Sequence, residues 1–564
     1  MNAADLSQAE ANIPDARGLN LFNADGYAAA LLRAYLPGPL ADHLLPHAEE
    51  LGRLAGGEFD ALAFTADQNP PALSVRHRTG QDESTIHKHP AYVALERAAY
   101  CRFGLAAMSH RAGVLGWPQP MPPAAKYGLS HVFVQAEFGL CCPVSMTDSL
   151  ARTLRRYGDP ALVDEILPQV TSLDFDELRQ SAMFMTEQAA GSDVSATQTI
   201  ARREADGRWR LYGDKWFCSN PDAGFAMVLA RSEETPGLAG VSLFLLPRTL
   251  PDGRQNPYRI LRLKDKLGTR SMASGEIRLE GAYAWLVGER GRGFQQMADM
   301  VNNSRLSNGM RAAGLMRRAL TEALYVARNR RAFGKRLIDM PLMQRQLLKM
   351  LLPTEQARSV MFQTAQALER ADAGDAEARS CVRILTPLIK FRACRDARQV
   401  TGDAMEVRGG CGYIEEWVEP RLMRDAHLGS IWEGTSNIVA LDVLRAIARN
   451  DCLPPLRRHV AQRLADGAPC PVELQALQTR CVEQAFAFAE SAARDSQSPM
   501  ARQAASALYH VVALAGLRWE AGRNSALQTR NTLADLVLVH RLAPRDPCAP
   551  HEPAIDGSGL LDIA

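Results

Sequence analysis

The spacing of apolar positions changes period twice along this chain. From about Tyr27 to Val170 it is helical, broken by Pro- and Gly-rich loops such as Gly116 to Pro123. Then the pattern alternates. Trp209-Arg210-Leu211-Tyr212-Gly213-Asp214-Lys215-Trp216, Val241 to Leu245 and Glu276 to Leu279 read as short strands, with turn signals at Gly237 and Asp252-Gly253. From Gly293 helical spacing returns. Leu315, Ala319, Leu320, Ala323, Leu324 and Ala327 share a face, and Leu342, Met343, Leu347, Leu348 and Leu351 repeat the stripe. A polar break at Asp451 with Pro454-Pro455 marks a boundary, beyond which Leu474, Leu477, Cys481, Ala485 and Phe488 form another stripe. The tail from Pro544, with Pro547, Pro550 and Pro553, reads as a loosely held extension. These periods predict a mainly α chain with a central β module: helices over 1–180, the β module over 181–288, a helical bundle over 289–450 and a helical appendix over 451–564. No internal repeat is visible.

Composition narrows the class. A chain of 564 residues exceeds one core, and 46% apolar with 23% charged residues is ordinary for a soluble globular protein. A formal net charge of +2 calls globally for neither nucleic acid nor membrane. Met1 to Arg17 carries Asp5, Glu10 and Asp15 without an apolar run, which argues against a secretory or transit segment. No stretch reaches the ~18 to 20 apolar residues of a membrane helix. The eleven cysteines hold no CxxC pair, so they read as reduced thiols of a cytoplasmic protein. His and Cys never fall at zinc-ligand spacing, so no metal is expected, and His87 with His89 reads as a loop feature. Gly288, Gly291 and Gly293 are in the wrong order for a dinucleotide fingerprint.

Three strings carry chemistry. Ser430-Ile431-Trp432-Glu433-Gly434-Thr435-Ser436-Asn437 sets one carboxylate between an aromatic and a glycine, in a setting suited to a general base. Met185-Thr186-Glu187-Gln188-Ala189-Ala190-Gly191-Ser192-Asp193 offers hydroxyls, and a glycine that lets backbone N–H groups approach a ligand closely. Lys215-Trp216-Phe217-Cys218-Ser219-Asn220 adds aromatic faces and another hydroxyl. A flavin needs such a set. Taken singly, the second and third strings read more readily as an ordinary turn and an ordinary buried aromatic pair, and the first as a solvated helix end.

Together, in this order, the strings resemble the acyl-CoA dehydrogenase family. That resemblance implies an N-terminal helical domain, a middle β-barrel domain, a C-terminal helical bundle and here an extra C-terminal helical domain. It implies FAD as cofactor, an acyl-CoA thioester as substrate and a homotetramer. Glu433 matches the catalytic base that removes the α-proton while hydride leaves the β-carbon for flavin N5. Met185, Thr186, Gln188, Gly191, Ser192, Phe217 and Ser219 match flavin contacts, as do Trp432, Thr435 and Asn437 beside the base. Arg330-Arg331-Ala332-Phe333-Gly334 matches the Arg-x-x-Phe-Gly string, whose Arg330 and Phe333 reach a flavin held mainly by a neighbouring subunit. On its own that arginine run reads as a solvated helix end. Gly409 and Gly410 match a glycine turn against the dinucleotide, with Glu406 where glutamine is commoner. Arg305 matches a residue beside acyl-CoA, and otherwise reads as a surface ion pair.

Finer marks resemble the AidB-like branch: Asn12-Ile13-Pro14, Asn20-Leu21-Phe22, Asn69-Pro70-Pro71, His89-Pro90, Arg262 to Gly268, Trp432 and Pro341-Leu342-Met343. The branch implies binding of double-stranded DNA and its protection from alkylation, with weak dehydrogenase activity on short or branched acyl groups. Trp432 narrows the space beside the flavin, and Asn302 stands where an acid is frequent. From Asp451 to Arg545 the appendix has eleven arginines against eight acids and no lysine. Arg445, Arg523 and Arg541 are the expected duplex contacts. Three readings stay open: a dehydrogenase working through Glu433, a DNA-binding flavoprotein with a vestigial site, and an acyl-CoA oxidase-like enzyme.

Overall fold

The computed structural model describes residues 13–205, 207–546, 548 and 559–564. Asp5, Glu10 and Asn12 at the start, and Pro547, Pro550 and Pro553 of the tail, lie outside the described residues. In chain order the elements are α1 (Ala28–Tyr35), α2 (Gly38–Gly56), α3 (Glu58–Gln68), β1 (Ala72–Arg76), β2 (Asp82–His87), α4 (Pro90–Arg97), α5 (Pro123–Phe133), α6 (Cys141–Tyr157) and α7 (Pro160–Val170). Strands follow: β3 (Ser181–Phe184), β4 (Ile200–Arg203), β5 (Trp209–Ser219), β6 (Phe225–Arg231), β7 (Val241–Pro247), β8 (Tyr258–Leu263) and β9 (Ser274–Val287). Then come α8 (Gly293–Asn329), a short hairpin of β10 (Arg331–Ala332) and β11 (Lys335–Arg336), α9 (Pro341–Asp372), α10 (Ala376–Arg408), α11 (Val418–Gly429) and α12 (Ser436–Asn450). The last group is α13 (Leu453–Ala465), α14 (Val472–Ala492), α15 (Ala501–Ala521), α16 (Arg530–Val537) and α17 (Leu560–Ile563). Contacts divide the chain into two units: a β unit of Ala61–Met121 and Glu137–Ser307, and a bundle unit of Met1–Asp60, Pro122–Ala136 and Asn308–Ala564. Among the described residues no helix is long and apolar enough to cross a membrane.

In the β unit, strands β4, β5, β9, β7 and β6 pair in a closed circuit. A parallel bridge between Ile200 and Arg231 completes it. Strand β3 adds in parallel beside β6, and β8 adds beside β9. Closure removes free edges from those five strands. The enclosed core holds Phe184, Trp209, Leu211, Val228, Phe244, Ile260, Ile277 and Leu279. Inward-facing positions of β5 and β9 alternate with partly exposed ones, whereas β6 is buried almost throughout and β7 along its whole length.

The bundle unit packs α9 against α10 and both against α15, so the appendix shares this unit with the bundle. Its interior contains ion pairs as well as hydrocarbon. Arg358 pairs with Asp25 and Glu355, and Arg530 bridges Glu355 and Glu520, all buried. Tyr35 donates its hydroxyl to Glu520 at 2.6 Å. Such burial is tolerated because each carboxylate faces more than one donor.

Three expectations differ from the structure. The β1–β2 hairpin lies in a stretch read as helical; its residues are mostly exposed, so no buried face imposed a period on its sequence. Leu342 is 84% exposed rather than part of the stripe buried by Leu347 and Leu351. The final described residues are not loosely held: Leu560, Leu561 and Ala564 are buried, and Arg317 and Arg328 donate to the backbone carbonyls of Ala564 and Leu561.

Candidate active site

The β unit carries the Met185 string on the loop leaving β3, and a buried ion pair shapes that loop. Glu187 accepts from the amides of Gln198 (2.6 Å) and Thr199 (3.2 Å), from the Thr199 hydroxyl (2.6 Å) and from Lys215 Nζ (2.6 Å). Lys215, fully buried on β5, also donates to the Leu229 carbonyl at 2.7 Å. Gly213 has φ 138, and a Cβ there would lie 2.9 Å from Thr199 Cα, so the close approach of these segments requires glycine. Burial alone would raise the Glu187 carboxyl, but Lys215 and the loop donors outweigh it and hold it below the usual range. Burial pushes the Lys215 ammonium down, with Glu187 opposing.

The outer side of this loop is the one available to a ligand. Met185 and Thr186 are half-buried, while Gln188, Gly191 and Ser192 are exposed. The Trp216 amide donates to the Thr186 carbonyl at 2.9 Å, seaming the loop to β5 next to Phe217. Phe217 exposes 56% of its surface, and Ser219 is half-buried two residues on. Lys264 sits 3.6 Å from the Trp216 ring centre and 4.6 Å from that of Phe217, anchored by Glu276 at 2.6 Å. Hydroxyl donors, an open flat ring and a glycine with nothing within 4 Å of its would-be Cβ fit a flavin ring and its pyrimidine edge. Arg305 belongs to this unit and is only 9% exposed, so it is not a surface residue.

The bundle unit holds Glu433 on the turn between α11 and α12. Its φ is 54, a left-handed value that costs a non-glycine residue roughly 1–2 kcal/mol. Lys390 Nζ donates to the following Gly434 carbonyl and pins the turn. Asn308 Nδ2 donates to Glu433 Oε2 from α8. The Arg311 guanidinium, fully buried, lies 4.6 Å from the Trp432 ring centre. Cys394 donates to the Asn308 carbonyl at 3.6 Å. Burial pushes that thiol up to about 11, so it stays protonated. Thr435 and Asn437 are exposed, and Trp432 is partly buried. The structure therefore gathers Asn308, Arg311, Lys390, Trp432 and Glu433 at one place.

The other predicted strings of the bundle unit lie at its surface. Phe333 (φ 51) and Gly334 (φ 76) form the two-residue turn between β10 and β11, and Phe333 is 97% exposed. Arg330 is exposed just before it. Gly409 and Gly410 are exposed, with nothing within 4 Å of either would-be Cβ. Among the expected duplex contacts, Arg445 is half-buried and Arg541 is exposed. Arg523 is exposed, 4.5 Å from the Trp519 ring centre, with Asp466 at 4.0 Å. Sequence reading missed Lys215, Lys264, Asn308, Arg311 and Lys390, each defined by a partner distant in sequence. Only Lys215 and Lys264 stood within strings that drew notice for another reason.

A closed β module with a flavin-compatible loop, in a chain whose helical unit presents a fixed glutamate, defines a flavin-dependent oxidoreductase class. Family comparison makes it specific. Residues 12–177 match the adaptive response protein AidB N-terminal domain, 182–282 the acyl-CoA dehydrogenase middle domain and 291–448 the acyl-CoA dehydrogenase C-terminal domain. The AidB protein of Escherichia coli (strain K12) is 35% identical over 76% of this chain and 78% of its own. ACDH-11 of Caenorhabditis elegans, solved with C11-CoA, superposes with TM-score 0.86 at 26% identity, covering 95% of this chain and 94% of that one. An acyl-CoA dehydrogenase of Bacillus anthracis solved with FAD shares the fold, with TM-score 0.69 at 18% identity over 91% of this chain and 89% of that one. This chain belongs to the acyl-CoA dehydrogenase family. It is a flavin-dependent oxidoreductase of that family, with FAD as cofactor.

Proposed function

We propose that this protein dehydrogenates acyl-CoA thioesters with Glu433 as the base. The observation carrying this reading is the fixed Glu433 turn, left-handed at φ 54, with Lys390 on its backbone and Asn308 on its carboxylate. Such restraint suits a base that must meet one α-hydrogen of a bound substrate. Bound FAD supplies the hydride acceptor. Thr186, Ser192, Phe217 and Ser219 would hold it on the β unit, with Met185, Gln188 and Gly191 lending backbone and flank. Trp432, backed by Arg311, limits the width beside the base and favours short or branched acyl groups. A C11 acyl group, as in the C11-CoA complex of the C. elegans relative, is the competing length class.

Arg305 would sit beside the acyl-CoA, and Arg330, Phe333, Gly409 and Gly410 would meet a flavin from a neighbouring copy in a homotetramer. Support for assembly comes from Phe333, Leu342 and Tyr413, respectively 97%, 84% and 79% exposed on the bundle unit, apolar surface that a neighbouring copy would cover. A second role in the cytoplasm, duplex-DNA binding with protection from alkylation, is favoured by the match of the first domain to the AidB model and by exposed Arg480, Arg494, Arg502 and Arg541. Anaerobic titration with a panel of acyl-CoAs tests the main reading. Flavin bleaching abolished in Glu433→Gln is expected. Bleaching that survives that substitution overturns Glu433 as base, and no bleaching by any thioester leaves the DNA role as the working one.

A further inference from the structure

We propose that Asn308 is a positioning residue serving Glu433 in both of its protonation states, and this rests on Glu433 being the base. Asn308 is 1% exposed. Its Nδ2 donates to Glu433 Oε2, while its Oδ1 is buried and has no hydrogen-bond partner among the described residues. A buried amide oxygen left unpaired is costly and calls for a reason. Removal of the substrate α-proton supplies one. The C–H bond breaks, its electron pair stays on the substrate carbon, and the proton forms an O–H bond on Glu433. Glu433 then carries an O–H donor on the oxygen that took the proton and keeps an acceptor on the other. A donor N–H of Asn308 facing that new O–H would repel it. Turning the amide by half a turn about Cβ–Cγ presents Oδ1 to the O–H instead. One side chain can thus satisfy the carboxylate before the transfer and the carboxylic acid after it.

The surroundings hold Asn308 where this exchange needs it. A Cβ at the neighbouring Gly309 would lie 2.6 Å from Ile389, so α8 is seated directly on α10 at that point. The Asn308 carbonyl accepts from Cys394 of α10. Glu433 is held by its own backbone, so its carboxylate has little freedom to seek another arrangement. Asparagine suits the task because donor and acceptor occupy near-identical positions on one flat group. Leucine has the same shape and neither function.

The test is solvent deuterium exchange at the α-carbon of a 3-thia acyl-CoA, whose sulfur in place of the β-carbon blocks hydride transfer. It is followed by NMR on the FAD-loaded protein, with analogue affinity and FAD content measured in parallel. Glu433→Gln should abolish exchange; exchange that persists there removes the base assignment and this proposal with it. Provided Glu433→Gln is silent, Asn308→Leu should slow exchange at least tenfold, with affinity and FAD content within twofold of the parent. An exchange rate within twofold overturns the role of Asn308 while leaving Glu433 as base. Should Asn308→Leu not fold, Asn308→Ala is judged by the same two limits.

Discussion

Replacing Lys215 by methionine should loosen the 185–199 loop of the β unit by a predictable amount. The substitution keeps the hydrocarbon stem and removes the ammonium, which bonds Glu187 at 2.6 Å and the Leu229 carbonyl at 2.7 Å. Removing one partner of a buried pair typically costs about 3–5 kcal/mol, because the remaining charge is left uncompensated. Glu187 keeps its bonds from Gln198 and Thr199, which places the cost near the lower end. A loss of about 3 kcal/mol corresponds to a melting temperature lower by roughly 6–12 °C for a cooperative body of 150–250 residues.

Local opening of the 185–199 loop uses the same free energy. If flavin is held only by the ordered loop and that loop is marginally stable, about 3 kcal/mol weakens FAD by up to about a hundredfold. Calorimetry of the FAD-free protein and titration with FAD read the two quantities separately. Coupling Glu187→Gln to Lys215→Met removes both charges and should recover more than half of the melting loss. A Lys215→Met protein with parental melting and FAD affinity would refute the claim that this pair organises the loop.

Acid stability follows from buried neutral histidines. Burial, reinforced by Arg358, lowers His131 to about 3, and burial with Arg463 and Arg370 lowers His459 to about 3. Unfolded histidines protonate near 6.5, so from 6.5 down to about 3 the unfolded state binds more protons and stability falls as pH falls, by roughly 1.4 kcal/mol per pH unit per histidine. Urea midpoints measured from pH 7 to 4.5 should show this slope, and His131→Gln with His459→Gln should flatten it; an unchanged slope rejects the assignment. For the DNA role, Arg445→Glu with Arg523→Glu should lower duplex affinity and the steepness of its salt dependence, by about 0.9 for each phosphate no longer neutralised, with FAD still bound. A parental salt slope removes these two arginines from the surface.

What the sequence made legible was the chemistry confined to short strings. Glu433 stood out because an aromatic and a glycine flank it, and the turn that glycine signals is present, although glutamate takes a left-handed conformation alongside Gly434. Strands β5, β7 and β9 were legible because turn residues bound them and burial alternates along β5 and β9. Asn308 was not, since its meaning depends on a carboxylate 125 residues away and its neighbours in α8 are polar as well. Helix α8 hid its character for a related reason: Arg311, Arg317 and Arg318 are fully buried, so polarity no longer marks the solvent face. Arg318 is held by Asp60 and Glu322, partners that no periodicity reveals.

The appendix shows why counting charge misleads. Its eleven arginines suggest a basic face, yet Arg518 and Arg530 are buried. Arg518 pairs with Asp535 at 2.6 Å and donates to Asn531 at 2.7 Å. Arg530 bridges Glu520 of the appendix and Glu355 of α9, where Arg358 carries the network on to Asp25 near the start of the described chain. Arg463 lies 4.0 Å from the Trp519 ring centre and donates to Gln366, and Arg458 pairs with Glu377. Arg530, Arg463 and Arg458 thus attach the appendix to the bundle, while Arg518 ties together segments within the appendix. A buried guanidinium satisfied by two carboxylates favours one arrangement of the helices around it, because any slippage leaves a charge unpaired. The same residue type therefore does opposite work within one appendix, structural at Arg518 and Arg530 and solvent-facing at Arg480, Arg494, Arg502 and Arg541. Counterion release on duplex binding has to come from exposed arginines such as these and Arg523, with half-buried Arg445, and not from the buried pair Arg518 and Arg530.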